Sequence, residues 1–526
     1  MYGCGVLFTL SRCDMTRDQS YSRPLDVHKW SNHKEINDFV KSLWTTEFAS
    51  LLDPSSGKGN KPKQTPKNQF KVLILDLYVA WKTDPELCIG VGMSKSNYEV
   101  NSRYNALHIS SIMIKVVHAL HDKGYIGLWK GNEVSGMTTR IWPEEKLIKL
   151  FKEARWSLFD IYAAKEQEVI ILNEKVVAKT RLKDSTKDET SIAFKTVPVE
   201  YEDDDYAPIV KMREDLRAYN ELLSRTFVDI GSLEDPVIHR RFFDKAKKKH
   251  VDQYVQVSQQ NKLVRRIFYR GSWLLGGRFH GGFWQQIKSD YRKDILINDM
   301  RTVEIDYSGL HVSLAYALEG VTPPQDPYRL RPVLESFDAT QQRKIVKQLA
   351  LTALNANSLS ATYQAFRDEQ ETKSNEKSLK NRELELLLDE FINQNKTIEQ
   401  YIGTDKGVEL MAIDGRITSR IINSFTNLNI PVLTIHDSYI VPEGYEERLV
   451  EEMDEATEAE LNGFKVKLKF EVVSYGEIKN IYSLQEDIHL RLHALEQLKQ
   501  QSKVTRTKQY KDRLNEFRLW TEERSS

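Results

Sequence analysis

The chain has 526 residues, 40 % hydrophobic and 29 % charged, and its 76 basic side chains balance 76 acidic ones. That length allows two to four domains with a sizeable core. Cys4, Cys13 and Cys88 are too few and too scattered for a disulfide framework or a four-ligand zinc site, and no apolar run approaches the length of a membrane span. Neutrality does not exclude a nucleic-acid partner, because only the binding face has to be basic. The cysteine usage fits a reducing cytoplasm. The opening MYGCGVLFTLSRCD has a short apolar run with no basic region before it, so it is not read as a signal peptide.

Residues 1 to 35 form an N-terminal segment, and a first domain is expected over 36 to 160. Within it, residues 53 to 69 (DPSSGKGNKPKQTPKNQ) are rich in Pro, Gly, Ser and Lys and are expected to be a disordered basic loop. FKVLILDLYVAW from Phe70 is apolar throughout and predicts either a buried helix or a strand. ISSIMIKVVHALHDK places Ile109, Met113, Val116, Val117 and Leu120 on one helical stripe. Gly124 stops that helix, and GYIGLWKG and MTTRIWP predict two strands around Gly131 and Asn132. Helix, glycine and hairpin in that order resemble a winged helix-turn-helix, a module that sets one helix in the DNA major groove. The resemblance implies phosphate contacts from Arg103, Lys115, Lys130 and Arg140. A plain α+β packing module fits the same residues.

Residues 161 to 260 carry acidic (Glu202 to Asp205) and basic (Lys245 to Lys249) runs. They predict a mainly helical, thumb-like connecting region with solvated charged faces. From 261 to 480 strands and helices alternate. Residues 481 to 526 predict one or two basic amphipathic helices that lie along nucleic acid or close the fold.

Two carboxylates stand out in the 261 to 480 region. Asp306 follows Val303 and Ile305 in TVEIDYSGLHVSLAYAL, and Asp437 follows Val432, Leu433 and Ile435 in IPVLTIHDSYIVP. A charge in such a strand-like run is costly to bury unless it is paired or metal-bound. Two such carboxylates brought side by side would repel unless cations neutralise them. Mg²⁺ is suited to this, because it takes one or two protein carboxylates and fills its other positions with water and phosphate oxygens. In QQRKIVKQLALTALNANS, Arg343 and Lys347 share a helical face; they could grip a triphosphate or simply be surface cations.

The order of these pieces resembles family A DNA polymerases and the single-subunit phage-type RNA polymerases. DYSGLHVSLAYALEG is similar to motif A, RKIVK to motif B and TIHDSY to motif C, and GGRFHGGFWQQI resembles the Gly-Arg segment ahead of motif A. The four span Gly276 to Pro442, about a third of the chain. The resemblance implies an α+β fold, with a right-hand palm of antiparallel sheet and flanking helices behind the winged-helix-like domain. It implies a nucleotidyltransferase using two Mg²⁺ ions, with Mn²⁺ able to stand in, on a nucleic-acid primer-template and nucleoside triphosphates. Asp306 and Asp437 would hold the metals, joined by the Tyr307 carbonyl. Arg343 and Lys347 would bind the triphosphate, with Lys347 as the acid toward pyrophosphate. Arg278, Gln285, Gln286 and His436 would face the nucleic acid.

The departures from the family pattern are specific. Leu351 and Asn355-Ala356 stand where motif B carries an aromatic and a Tyr-Gly pair, so the stack at the templating base is missing. His311 stands at the sugar-screening position, and its bulk favours deoxynucleotides. The polar segment between Tyr363 and Asp405 does not map onto the family's fingers, and no exonuclease-like acidic set lies upstream. Two rivals follow: a template-independent transferase on the same palm, and a non-catalytic DNA-binding protein.

His436-Asp437 as the doublet of an HD-type phosphohydrolase would need a helix, whereas its flanks are β-like. GGRFHGG lacks the Gly-Lys-Ser/Thr of a P-loop. Trp273, Phe279, Phe283 and Trp284 could stack on bases or fill a core. Asp414 and Arg416, on an amphipathic helix with Met411, Ile417, Ile421 and Phe425, are expected to be structural.

Overall fold

The computed structural model describes residues 17–52, 63–131, 137–181, 190–244, 249–371, 374–471 and 504–525, together with His489 and His493. The chain divides into two compact units. The first takes Met1–Gln167 and Pro236–Gln256, and the second takes Glu168–Asp235 and Val257–Ser525. The division therefore differs from the expected domains. Part of the 161 to 260 region belongs to each unit, and none of it is a separate connecting domain.

That region is also mostly strand. It holds Ile170–Arg181 paired with Thr190–Pro198, Val237–Asp244 paired with Lys249–Gln256, and the short Val228–Ile230. Ile209–Ser224 is its one long helix among the described residues. The charge runs misled the helical expectation. The stretches ahead of the acidic run, IILNEKVVAKTR and TSIAFKTVP, are rich in the β-branched residues that favour strands.

In the first unit, a four-stranded sheet runs in the order Ser22–Pro24, Cys88–Val91, Thr139–Pro143, Ile126–Trp129. Its first pair is parallel and the others are antiparallel. The Phe70 run is a buried helix, Pro66–Thr83. Phe70, Val72, Leu73, Ile74, Leu75 and Leu77 are all at most 1 % exposed, and a helix apolar on every side has to be enclosed. Thr65 caps it by accepting from the Asn68 N–H, with Pro66 in the first turn. The expected disordered loop is thus corrected at its end, since Pro66 to Gln69 are helical; residues 53–62 lie outside the described residues.

The Ile112–Asp122 helix buries Met113, Val116, Val117 and Leu120. Gly124 follows in the left-handed region at φ 72°, where glycine has no Cβ to clash. The expected hairpin is antiparallel as drawn, but it is half of a four-stranded sheet and not a free-standing wing. Asn132 lies outside the described residues. Lys115 and Lys130 are exposed, whereas Arg103 and Arg140 are half-buried.

In the second unit, the antiparallel sheet that carries both candidate carboxylates has the order Leu433–Ile435, Ser438–Pro442, Thr302–Tyr307, Leu468–Glu471. The Gly407–Asn427 helix packs against the Glu446–Glu460 helix and the Ser272–Gly281 strand. At the second contact Gly415 is required, because a Cβ there would stand 2.2 Å from the Gly277 carbonyl oxygen. The helices Ala339–Asn355, Leu359–Glu369 and Asn381–Gln394 pack on one another.

Lys508–Ser525 closes this unit: Tyr510, Leu514 and Phe517 are buried, Phe227 packs on Tyr510 and Phe517, and Arg513 pairs with Asp229 at 2.8 Å. Residues 472–503, apart from His489 and His493, lie outside the described residues. No described helix is long and apolar enough to cross a membrane.

One buried cation in the second unit gives a pH prediction. The Lys262 ammonium is 4 % exposed and donates to the Thr226 carbonyl at 2.6 Å and to Gln259 Oε1 at 3.1 Å. Burial pulls its pKa down to about 7. The unfolded chain then holds a proton that the folded chain lacks between pH 7 and 10, so this site stabilises the fold more as pH rises through that window. The melting temperature of the wild type relative to Lys262→Met is expected to rise between pH 7 and 10. A flat difference would contradict the assignment.

Candidate active site

The sheet itself brings the two aspartates to neighbouring positions. Asp306 lies opposite Ser438 in the antiparallel register, so Asp437 is its diagonal neighbour. The Tyr307 N–H donates to the Asp437 carbonyl oxygen at 3.0 Å. His436 and Asp437 form the two-residue turn between Leu433–Ile435 and Ser438–Pro442, with His436 in the left-handed region at φ 53°. Both aspartates are half-buried. The Asp437 carboxylate makes no hydrogen bond or ion pair among the described residues, which leaves its charge uncompensated.

Glu304, two residues before Asp306, is the buried acid of this strand at 2 % exposure. It accepts from the Ser438 hydroxyl at 2.7 Å and from Arg292 at 3.1 and 3.2 Å, so its charge is compensated. The Tyr307 ring turns into the core, where its hydroxyl donates to the Met453 carbonyl at 2.6 Å.

Arg343 and Lys347 are exposed on the Ala339–Asn355 helix. Arg343 donates to Asp326 at 2.6 Å and lies 6.0 Å from the centre of the Tyr328 ring. Lys347 has no hydrogen bond or ion pair among the described residues. Tyr328 lies beside this helix. Burial pushes its phenol above the usual range, Arg343 opposes the shift, and Asp326 and Asp437 add to it. The Tyr328 hydroxyl is buried without a hydrogen-bond partner, and a Cβ on Gly309 would come within 3.1 Å of it. Sequence reading missed Tyr328; only its place between DYSG and RKIVK pointed to it.

A second cluster joins three side chains. Arg278 Nε donates to Asp414 Oδ2, and Arg278 Nη2 lies 2.7 Å from His311 Nε2. Asp414 is fully buried, and its Oδ1 has no hydrogen-bond partner. Burial raises the Asp414 pKa to about 6; Arg278 opposes this and Asp437 adds to it. His311 is 7 % exposed, and burial, followed by Arg278 and His436, lowers its pKa to about 3. His311 is therefore neutral, with Nε2 accepting from the guanidinium and the proton on Nδ1. Asp414, which the sequence reading took as structural, thus pairs with Arg278, one of the candidate site residues.

The other candidates divide. Gln285 is engaged in the fold, donating to the Thr434 carbonyl at 2.8 Å and the Phe279 carbonyl at 3.2 Å, while its Oε1 accepts from the Gly281 N–H. Gln286 reaches the Gly282 carbonyl at 3.4 Å. Phe279, Phe283 and Trp284 are core residues. Trp273 lies in an aromatic group with Tyr201, Tyr206 and Phe268. His436 is exposed at the hairpin tip, 5.5 Å from the His280 ring. Leu351 is half-buried, and exposed Asn355 donates to its carbonyl at 2.7 Å. Arg103, Lys115 and Arg140 belong to the other unit.

Two adjacent carboxylates with hard oxygen donors fit Mg²⁺ or Mn²⁺. Among the described residues no cluster of three or more His, Cys, Asp or Glu could hold a metal. The remaining ligands would then be water and substrate.

No protein-family profile and no curated protein matches the chain. Among solved structures it is similar to the POL domain of Pol1 from M. smegmatis in complex with DNA primer-template and dNTP. Identity is 10 % and the TM-score is 0.26, over 37 % of this chain and 45 % of that one. The chain thus spans under half of that structure's length. At so low a score the likeness carries no weight, and the functional reading rests on the side chains described above.

Proposed function

We propose that the second unit is a nucleotidyltransferase that adds nucleotides, by preference deoxynucleotides, to a 3′-hydroxyl. The observation that carries this reading is the strand register, in which Asp306 lies opposite Ser438 and the neighbouring Tyr307 N–H donates to the Asp437 carbonyl at 3.0 Å, so that the two aspartates stand at neighbouring positions of one sheet. Divalent ions, when bound, would activate the attacking hydroxyl and neutralise charge on the leaving pyrophosphate.

The chain's own residues do the rest. Asp306 and Asp437 present carboxylate oxygens at the ends of paired strands. Arg343 exchanges its partner Asp326 for phosphate oxygens, and Lys347, one turn on, adds a second cation. Lys347 also holds a proton for the departing pyrophosphate. The reaction needs positioning and charge neutralisation more than covalent chemistry. Neutral His311 walls the sugar side, held there by Arg278.

Primer extension on templates of defined sequence, with Mg²⁺ and all four deoxynucleotides, tests the reading. Products that follow the template support it. Products indifferent to the template would move the activity to a template-independent transferase, the rival that Leu351 and Asn355 favour. Tight duplex binding with no incorporation would leave a DNA-binding scaffold. His311→Gly is expected to raise the ribonucleotide to deoxynucleotide ratio of kcat/KM about tenfold, on the order of a removed steric contact. An unchanged ratio would remove His311 from sugar selection.

A further inference from the structure

The first unit contains a cavity of about 420 Å³ whose lining includes Arg23, Gly90, Asn97, Tyr98, Thr138 and Arg140, within the size range of small-ligand sites. Its floor is a face of the sheet where Gly90 stands between Pro24 and Arg140 in register. Side chains on strands alternate between faces. Ile89, Val91 and Ile141 fill the core side, which leaves Gly90 and Arg140 on the other.

The two glycines let polar groups lie close to the backbone. A Cβ on Gly90 would come within 2.9 Å of Arg140 Nη1, and one on Gly92 within 2.3 Å of Asn97 Nδ2. The Tyr98 hydroxyl donates to the Gly92 carbonyl at 2.8 Å and holds that wall in place.

The charge balance is unequal. Arg23 is neutralised by buried Asp76, at 2.7 and 2.8 Å. Arg140 bonds only neutral acceptors: the Gln19 carbonyl at 3.1 Å, the Thr138 carbonyl at 2.8 Å and the Thr138 hydroxyl at 2.5 Å. Among the described residues no carboxylate pairs with it, and its Nη2 donates to none of them. Burial lowers its pKa, as expected for an uncompensated charge.

A half-buried guanidinium with a free edge is suited to phosphate oxygens. Thr138 and Asn97 add polar groups beside it, and Pro24, Leu25, Val27 and Tyr98 offer apolar walls to a base. We propose that this cavity is a nucleotide subsite in which Arg140 takes the phosphate. It is independent of the transfer chemistry proposed for the second unit. The phosphate could belong to a nucleic-acid strand or to a free nucleotide, and the test separates the two.

The full chain, without Mg²⁺, is titrated with thymidine 5′-monophosphate, with a thymidine trinucleotide and with thymidine lacking phosphate. Binding is read as hydrogen-exchange protection of peptides covering residues 88–98 and 137–143. Phosphate-bearing probes are expected to protect both peptides and thymidine to do so far less. A lower midpoint for the trinucleotide assigns the site to a strand, and a lower midpoint for the monophosphate assigns it to free nucleotide. Arg140→Gln is expected to raise the midpoint at least tenfold, and Leu25→Trp, which fills the cavity and leaves Arg140 in place, to abolish protection. If Arg140→Gln does not fold, Leu25→Trp decides alone. No protection at millimolar probe, or wild-type midpoints in the folded variants, would overturn the proposal.

Discussion

Asp437→Asn and Asp306→Asn are each expected to lower nucleotide incorporation by about 10³-fold or more, while duplex binding stays within about twofold. Each substitution keeps the side-chain shape and removes one negative charge. In the proposed reaction divalent cations would supply several kcal/mol of charge stabilisation, and a loss of about 4 kcal/mol corresponds to about 10³-fold in rate. Asp437 should be the cleaner test, because its carboxylate makes no hydrogen bond or ion pair among the described residues and its loss removes no structural bond. The Tyr307 N–H to Asp437 carbonyl bond is a backbone bond and survives the change. Steady-state incorporation at saturating Mg²⁺ and nucleotide, with fluorescence anisotropy for duplex affinity, checks both halves. Wild-type rates in either variant would refute the metal assignment.

Asp414→Ala is expected to destabilise the second unit by about 3 to 5 kcal/mol, the usual consequence of removing one partner of a buried ion pair. Arg278 would be left mostly buried beside a neutral imidazole. Asp414→Asn should cost less. Burial and Asp437 already raise the Asp414 pKa to about 6 despite the Arg278 contact, so the ionised form is only modestly favoured and an amide still accepts from Arg278 Nε. Both variants should also loosen sugar selection, since Asp414 and His311 are the two side chains that hold Arg278. Thermal unfolding and the ribonucleotide to deoxynucleotide ratio of kcat/KM are the measurements. A stable Asp414→Ala protein with unchanged selectivity would show that the Asp414–Arg278–His311 chain is idle.

Much of this was legible in the sequence where one residue's neighbours fix its state. TVEID and VLTI–HD–SYIV are short strand-like runs that carry the candidate acids, and they are paired strands of one sheet. The all-apolar run from Phe70 had to be enclosed, though only the structure showed it as helix. The three-residue chain of Asp414, Arg278 and His311 was not legible, because it depends on Gly415 lying against Gly277, a close approach between distant segments. Tyr328 was hidden for a different reason, since an isolated tyrosine in TPPQDPYRL gives no periodic signal. Residues 161 to 260 failed differently. There, charge runs outweighed a β-branched composition that the sheet then used.

Electron paramagnetic resonance of Mn²⁺ bound in the presence of a non-hydrolysable deoxynucleotide triphosphate tests the central claim most directly. Two ions per chain are predicted, with the tighter one weakened at least tenfold by Asp306→Asn or Asp437→Asn and the nucleotide-dependent one lost in Arg343→Ala with Lys347→Ala. Equal Mn²⁺ binding by the wild type and the double aspartate variant would contradict the account.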